Sequence, residues 1–241
     1  MPTTAVARRP VVPTARRAPA RRRMGTLGRH LITALTAASL VFGFWLSRPR
    51  WVPEMRLWKA VGDASLILLV VSMLAGPLAR IWRRATPLLA WRREAGIWFA
   101  LLATLHAVLI LNGWVRWSVR RFLGYEFIPQ LGRNVRLESG FGLANILGLL
   151  ALVWAVALAA TSSDWALRRL GRPSWKWLHN GAYVVFYLVF AHAGYFLFQH
   201  FTFSFHKAAP PPDWFRLPFL GAALAVVVLQ MAAFAKTVRH D

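Results

Sequence analysis

Six apolar blocks, each about 20 residues long, divide this chain, and that is the length an α-helix needs to cross a hydrocarbon core. They run roughly over 29–47, 60–81, 95–113, 141–161, 178–198 and 215–235. The apolar residues come in continuous runs rather than in alternation, which points to helices rather than to the strands of a barrel. The pattern predicts an all-α integral membrane protein, a six-helix bundle over 29–236. A basic flexible tail (1–28) is expected before it and a short C-terminal tail (237–241) after it. Composition agrees: 57% of the chain is hydrophobic and only 16% is charged, against about 25% charged in an ordinary soluble domain. Thirteen tryptophans and sixteen phenylalanines suit a bilayer, where indole rings collect at the headgroup level. Pro77 falls near the end of the second block, where neighbouring helices can satisfy a freed carbonyl.

A net charge of +22 would suggest a nucleic-acid partner if it formed a continuous basic face. Here the basic residues gather at block ends and in the arginine- and proline-rich N-terminus. That is the distribution produced by membrane topology and anionic lipid, so the expected partner is a lipid bilayer and not a nucleic acid. If the N-terminus is cytoplasmic, 19 of the 30 lysines and arginines fall on the inner side. The expectation is therefore a multi-pass protein of a bacterial inner membrane with both termini in the cytoplasm. The basic loop at 113–140, with Trp114, Arg116, Trp117, Arg120 and Arg121, reads either as an interfacial turn of helix or as a docking surface for an outer partner. No internal repeat is apparent. There is no cysteine, which excludes disulfides, iron–sulfur clusters and c-type haem attachment. No G-x-G-x-x-G turn follows a strand-like run, so electrons from a nicotinamide would have to be collected by another chain.

Three histidines lie in or at the edge of apolar runs: His106, His179 and His192. An imidazole in a membrane segment is expensive and marks a functional site by default. Under the N-in topology His106 lies about 20 Å along the third span from Arg92 and Arg93, and His192 about 20 Å beyond His179 on the fifth. His106 and His192 thus reach the same depth on two parallel helices, as axial ligation of one haem b iron from opposite sides requires. The competing reading of each is a packed core residue bonded to a neighbouring carbonyl. His179 reads as a site for a second haem or a quinone. The residue mirroring it on the third span is Arg93, so an inner haem would lack its second ligand. His200 and His206 read as solvated loop residues, the alternative being an outer-loop metal site, and His30 and His240 as terminal. Asp63 is expected to pair with Lys59 or to relay protons. Trp175, Trp177 and Tyr183 fit an aromatic belt. Thr161, Ser162, Ser163 and Asp164 are expected to cap the end of the fourth span.

The stretches GPLARIWRR, RREAGIWFALLATLHA and LAATSSDWALRRLGRPSWKWLHNGAYVVFYLVFAHAGY resemble the ferric reductase-like transmembrane family over roughly residues 60–200. Within it they are most similar to haem-binding subunits of periplasmic methionine sulfoxide reductase systems. The resemblance implies a six-helix cytochrome with haem b, and FMN has also been associated with the family. It implies His106, His179 and His192 as haem histidines, and a quinol or a flavin reductase as donor. The implied acceptor is a periplasmic molybdopterin-containing methionine sulfoxide reductase that repairs oxidised envelope proteins, so substrate reduction belongs to the partner. The chain departs from the family where an R-P-Y-like element is usual before the fourth helix; here NVRLESGFG stands instead. Larger relatives carry a cytoplasmic FAD/NADPH domain and a fourth histidine, and neither is expected here. Two rival readings remain: a stand-alone transmembrane ferric or cupric reductase, and a haem-free membrane scaffold.

Overall fold

The computed structural model describes residues 24–136, 138–200 and 210–239. Its first helix, α1 (Thr26–Leu46), leads through a short turn into α2 (Pro53–Ile81). Pro53 stands at the helix start, where its missing N–H is no loss; Pro77 lies inside the last turns of the same helix. A 3₁₀ stretch (Arg83–Ala90) turns the chain into α3 (Arg92–Ile110), which continues as a π-helical segment, Leu111–Val115. The following connection carries a one-turn helix, α4 (Val119–Phe122), and a two-stranded antiparallel hairpin. Its strands are β1 (Tyr125–Ile128) and β2 (Arg133–Arg136), with Tyr125 opposite Arg136 and Ile128 opposite Arg133.

Next comes α5 (Phe141–Ala160), followed by α6 (Asp164–Leu170), whose N-terminus is capped by the Ser163 hydroxyl accepting from the Ala166 N–H at 3.0 Å. The fifth span is broken. α7 (Arg172–Asn180) and α8 (Ala182–Gly194) meet at Gly181, and α8 runs on as a second π-helical segment, Tyr195–His200. The last helix is α9 (Arg216–Val238).

Among the described residues, six helical stretches are long and apolar enough to cross a membrane: Thr26–Leu46, Pro53–Ile81, Arg92–Val115, Phe141–Ala160, Arg172–His200 and Arg216–Val238. The protein is a multi-pass membrane protein, as its six apolar blocks require. The most buried span is α2, which packs against α1, α3 and α9, while α5 pairs with α8 and also meets α3. Ala60, Val61, Ala64, Leu68 and Met73 of α2 form the middle of the core. Leu35, Leu105, Val153 and Leu224 point outward and are exposed; in a bilayer such faces meet acyl chains at no hydrophobic cost.

Three local features differ from the sequence reading. Helices α2 and α7 begin well before the apolar blocks they serve, because a helix continues through the polar interface until its backbone finds water. The 113–140 connection carries the one-turn helix α4 and, beside it, a two-stranded hairpin that the sequence reading did not include. His200 is not in a loop but ends the fifth span. The basic segment 1–23, His206 and His240 lie outside the described residues.

Candidate functional site

Two imidazoles face one cavity. His106 on α3 and His192 on α8 both line a chamber of about 520 Å³ bounded by α2, α3, α5 and α8, with walls that include Leu66, Phe99, Leu152 and Val189. Each ring is fixed through Nδ1 to a backbone carbonyl on the helix beside it: His106 to Trp58 O at 2.9 Å, and His192 to Ala144 O at 2.8 Å. A carbonyl only accepts, so both Nδ1 atoms carry the proton and both Nε2 atoms keep a lone pair. Nε2 of neither ring has a hydrogen-bond partner among the described residues. The bland reading of these histidines, packing against a carbonyl, therefore accounts for one nitrogen of each ring and leaves the other aimed at nothing the protein supplies.

The two half-sites repeat one another. In both, the histidine lies 48 residues after the residue whose carbonyl holds it. In both, a glycine one turn beyond that carbonyl, Gly62 or Gly148, lies against the ring. In both, the histidine's helix then widens into a π-helical segment, Leu111–Val115 or Tyr195–His200. The sequence reading found no repeat. The three matching positions, Trp58/Gly62/His106 and Ala144/Gly148/His192, are too sparse to raise a sequence signal, and one of them pairs tryptophan with alanine.

The donor set fits a haem iron. Among the described residues no group of three or more His, Cys, Asp or Glu side chains is placed to hold a bare metal ion. Two imidazoles whose Nε2 atoms have no partner among the described residues, in a largely apolar chamber of cofactor size, are donors of the kind that would hold a b-type haem. His106 and His192 would hold it.

At the end of the chamber next to the connection after α3, the lining includes Trp117, Ser118, Val119 and Phe122, together with His200. His200 Nδ1 pairs with Glu138 Oε2 at 2.7 Å, and the Tyr195 hydroxyl donates to the other oxygen of the same carboxylate. Arg116 and Trp117, in the turn of this connection, have φ of 50° and 56°, the left-handed region that non-glycine residues seldom enter. Trp117 Nε1 donates to Asn112 Oδ1 at 2.7 Å and holds the turn.

A buried cluster of four charges stands beside the chamber, which Lys59 and Asp63 also line. Arg48 Nη2 bonds Asp63 Oδ2 at 2.5 Å and Asp213 Oδ1 at 3.0 Å, and Lys59 Nζ meets Asp213 Oδ2 at 2.8 Å. Arg48 and Asp213 are 3% and 5% exposed, so neither charge is solvated and each depends on its partners. Burial alone would raise the Asp213 carboxyl, but the ammonium of Lys59 and the guanidinium of Arg48 outweigh it and hold the group below the ordinary carboxylate value. The expected Asp63–Lys59 pair is thus replaced by a crossed arrangement. Asp63 goes to Arg48 because Asp213, from the segment before α9, takes Lys59. Nor is Asp63 the only acid in the interior: Glu94 on α3 is fully buried and bonded to Arg29 Nε of α1 at 2.7 Å.

His179 is not brought to the chamber. It lies on α7, at the other end of the fifth span from His200, with its ring stacked on Trp175 at 3.9 Å between centroids. Its Nε2 lies 3.3 Å from Thr161 Oγ1, whose carbonyl accepts from Trp175 Nε1 at 3.0 Å. Thr161 and Ser162 return their hydroxyl protons to carbonyls of the last turn of α5, as their position suggested, and Asp164 pairs with Arg93 at 3.0 Å.

Residues 61–190, which contain His106 and His179 and end just before His192, match the family model described as "Ferric reductase like transmembrane component". The chain is 31% identical over 179 residues to the protein-methionine-sulfoxide reductase heme-binding subunit MsrQ of Yersinia enterocolitica, covering 74% of this chain and 76% of that one. It is 29% identical to the protein of the same name from Bordetella pertussis, over 62% of this chain and 66% of the relative. With the Yersinia pseudotuberculosis protein of that name it shares 34% identity over 55% of this chain and 59% of the other. A family model that spans more than half of the sequence settles its membership: this chain belongs to the ferric reductase like transmembrane component family.

Proposed function

We propose that this protein is a haem b-containing electron-transfer subunit of a bacterial inner membrane, serving a protein-methionine-sulfoxide reductase. The observation that carries the reading is the pair of imidazoles, His106 and His192. Each is anchored by Nδ1 to a carbonyl, has no hydrogen-bond partner at Nε2 among the described residues, and lines one largely apolar chamber. The names of the relatives, heme-binding subunits of such a reductase, support the same assignment. Bound haem supplies one-electron redox chemistry, with a potential set by its ligands and the polarity of its shell. The protein's residues do the rest. The two backbone bonds hold the rings in the ligating tautomer, Leu66, Phe99 and Val189 keep water out, and Trp117, Val119 and Phe122 separate the chamber from the outer surface.

In this reading both termini are cytoplasmic, and electrons enter on the inner side from the quinol pool or a flavin reductase, with His179 near the point of entry. They leave at the outer end, beneath the α4–hairpin connection, to a periplasmic molybdopterin-containing reductase that repairs oxidised methionines. For the rival outer metal site, no group of three or more His, Cys, Asp or Glu side chains is placed around His200 among the described residues, and His206 lies outside them.

The test is re-oxidation. The purified chain, loaded with haem and chemically reduced, is mixed with its cognate sulfoxide reductase and a methionine sulfoxide peptide. Re-oxidation that requires both additions is expected. Re-oxidation by Fe(III) or Cu(II) chelates, with none by the reductase, would contradict the assignment and favour a metalloreductase.

A further inference from the structure

Gly148 is placed where nothing larger can stand, and Gly62 where a larger residue would force the neighbouring ring to give way. An ideal Cβ on Gly148 would lie 2.6 Å from His192 Nδ1 and 2.8 Å from its Cε1, and one on Gly62 would lie 3.1 Å from both Nδ1 and Cε1 of His106. Real Cβ atoms essentially never approach within 3.0 Å of a neighbour, so a Cβ on Gly148 would push the half-buried His192 ring towards the chamber and off the carbonyl that fixes it. The contact falls on the very nitrogen whose bond to Trp58 O or Ala144 O fixes the tautomer. Gly43 on α1 and Gly221 on α9, by contrast, have open space where a Cβ would be.

We infer that Gly62 and Gly148 are positioning residues for the two histidines. Each removes the one side chain that would stand between the imidazole and the neighbouring helix. The ring can then lie flat on that helix's backbone, reach a carbonyl one turn away, and aim Nε2 into the chamber. The inference rests on the reading of His106 and His192 as haem ligands and adds the feature that sets their orientation. It also ranks the two sites. The closer contact makes Gly148 the stricter position, so the α5–α8 half-site tolerates less than the α2–α3 half-site.

The experiment uses the full chain in detergent with haem b. It compares wild type with Gly148→Ala, Gly62→Ala and the control Gly43→Ala, reading haem affinity, the low-spin electron paramagnetic resonance signal and thermal unfolding. Groups that orient a metal-bound histidine typically govern affinity by roughly 10–100-fold. Gly148→Ala is therefore expected to weaken haem binding on the order of tenfold or more and to shift the low-spin signal. Gly62→Ala should do the same less strongly, and Gly43→Ala should do neither. A second pair keeps the test sharp if Gly148→Ala is too unstable to load. In the His192→Ala background the added methyl has no ring to meet, so Gly148→Ala should then lower thermal stability far less than it does alone. Wild-type affinity and signal in both glycine variants, or equal destabilisation with and without the His192 ring, would overturn the inference while leaving the haem reading intact. A wild-type protein without any low-spin signal would overturn both.

Discussion

A histidine in a membrane span can be a packed residue or a ligand, and the difference lies in the second nitrogen. For His106 and His192 the Nδ1 bonds to Trp58 and Ala144 carbonyls are the kind of contact any packed imidazole makes; the unpaired Nε2 atoms facing a shared chamber are not. The sequence showed that these two residues lie at one depth, through their spacing from the basic residues at the inner ends of their spans. It did not show the carbonyls or the glycines, which come from helices far away along the chain. The charged cluster failed to show for the same reason. Asp63 and Lys59 are one helical turn apart and read as a pair, whereas Arg48 and Asp213 are separated by 165 positions and reveal themselves only when α1 and the approach to α9 meet α2. Removing one member of such a buried set strands the others. Asp213→Asn should destabilise the protein by about 3–5 kcal/mol, measurable as a lowered thermal midpoint in detergent, whereas an unchanged midpoint would mean the cluster is solvated. The Asp213 carboxyl is held below its ordinary value of about 3.9. Its contribution should therefore be complete above about pH 4 and be lost as the pH falls through the lower, folded-state value. Asp213→Asn should erase that part of the acid sensitivity.

At the scale of elements, the fifth span carries two tasks on two helices. Gly181 ends α7 and starts α8, so His179, stacked on Trp175, belongs to the end of the span opposite the His192 chamber. The sequence placed both histidines in one apolar run, since hydropathy does not register a break at a single glycine. His179→Ala is accordingly expected to keep its haem content and low-spin spectrum while being reduced more slowly by quinol analogues; loss of haem equal to that of His192→Ala would contradict the separation. The π-helical segments after His106 and His192 were equally silent in the sequence. A widened turn adds one residue without altering composition, yet it turns Trp114 and His200 toward the chamber. The β-hairpin was missed because its strands are short and their polar residues merge into a basic loop.

For the whole molecule, the architecture was legible because the bilayer leaves a chain few choices: six blocks of sufficient length gave six spans. What hydropathy could not supply was the pairing of α2 with α3 and of α5 with α8, the arrangement that brings two distant half-sites to one chamber. Orientation rests on the positive-inside bias, and it can be tested cleanly because the chain contains no cysteine. In intact spheroplasts a membrane-impermeant maleimide should label Arg133→Cys in the hairpin and leave Arg169→Cys in α6 unlabelled until the membrane is opened. The reverse pattern would invert the direction of electron flow. The central claim is that His106 and His192 share one haem iron. It is tested most directly by the low-spin electron paramagnetic resonance and reduced-minus-oxidised spectra of wild type beside His106→Ala and His192→Ala. Loss of most of the six-coordinate low-spin signal in each single variant is the predicted result, and full retention of that signal in either would contradict it.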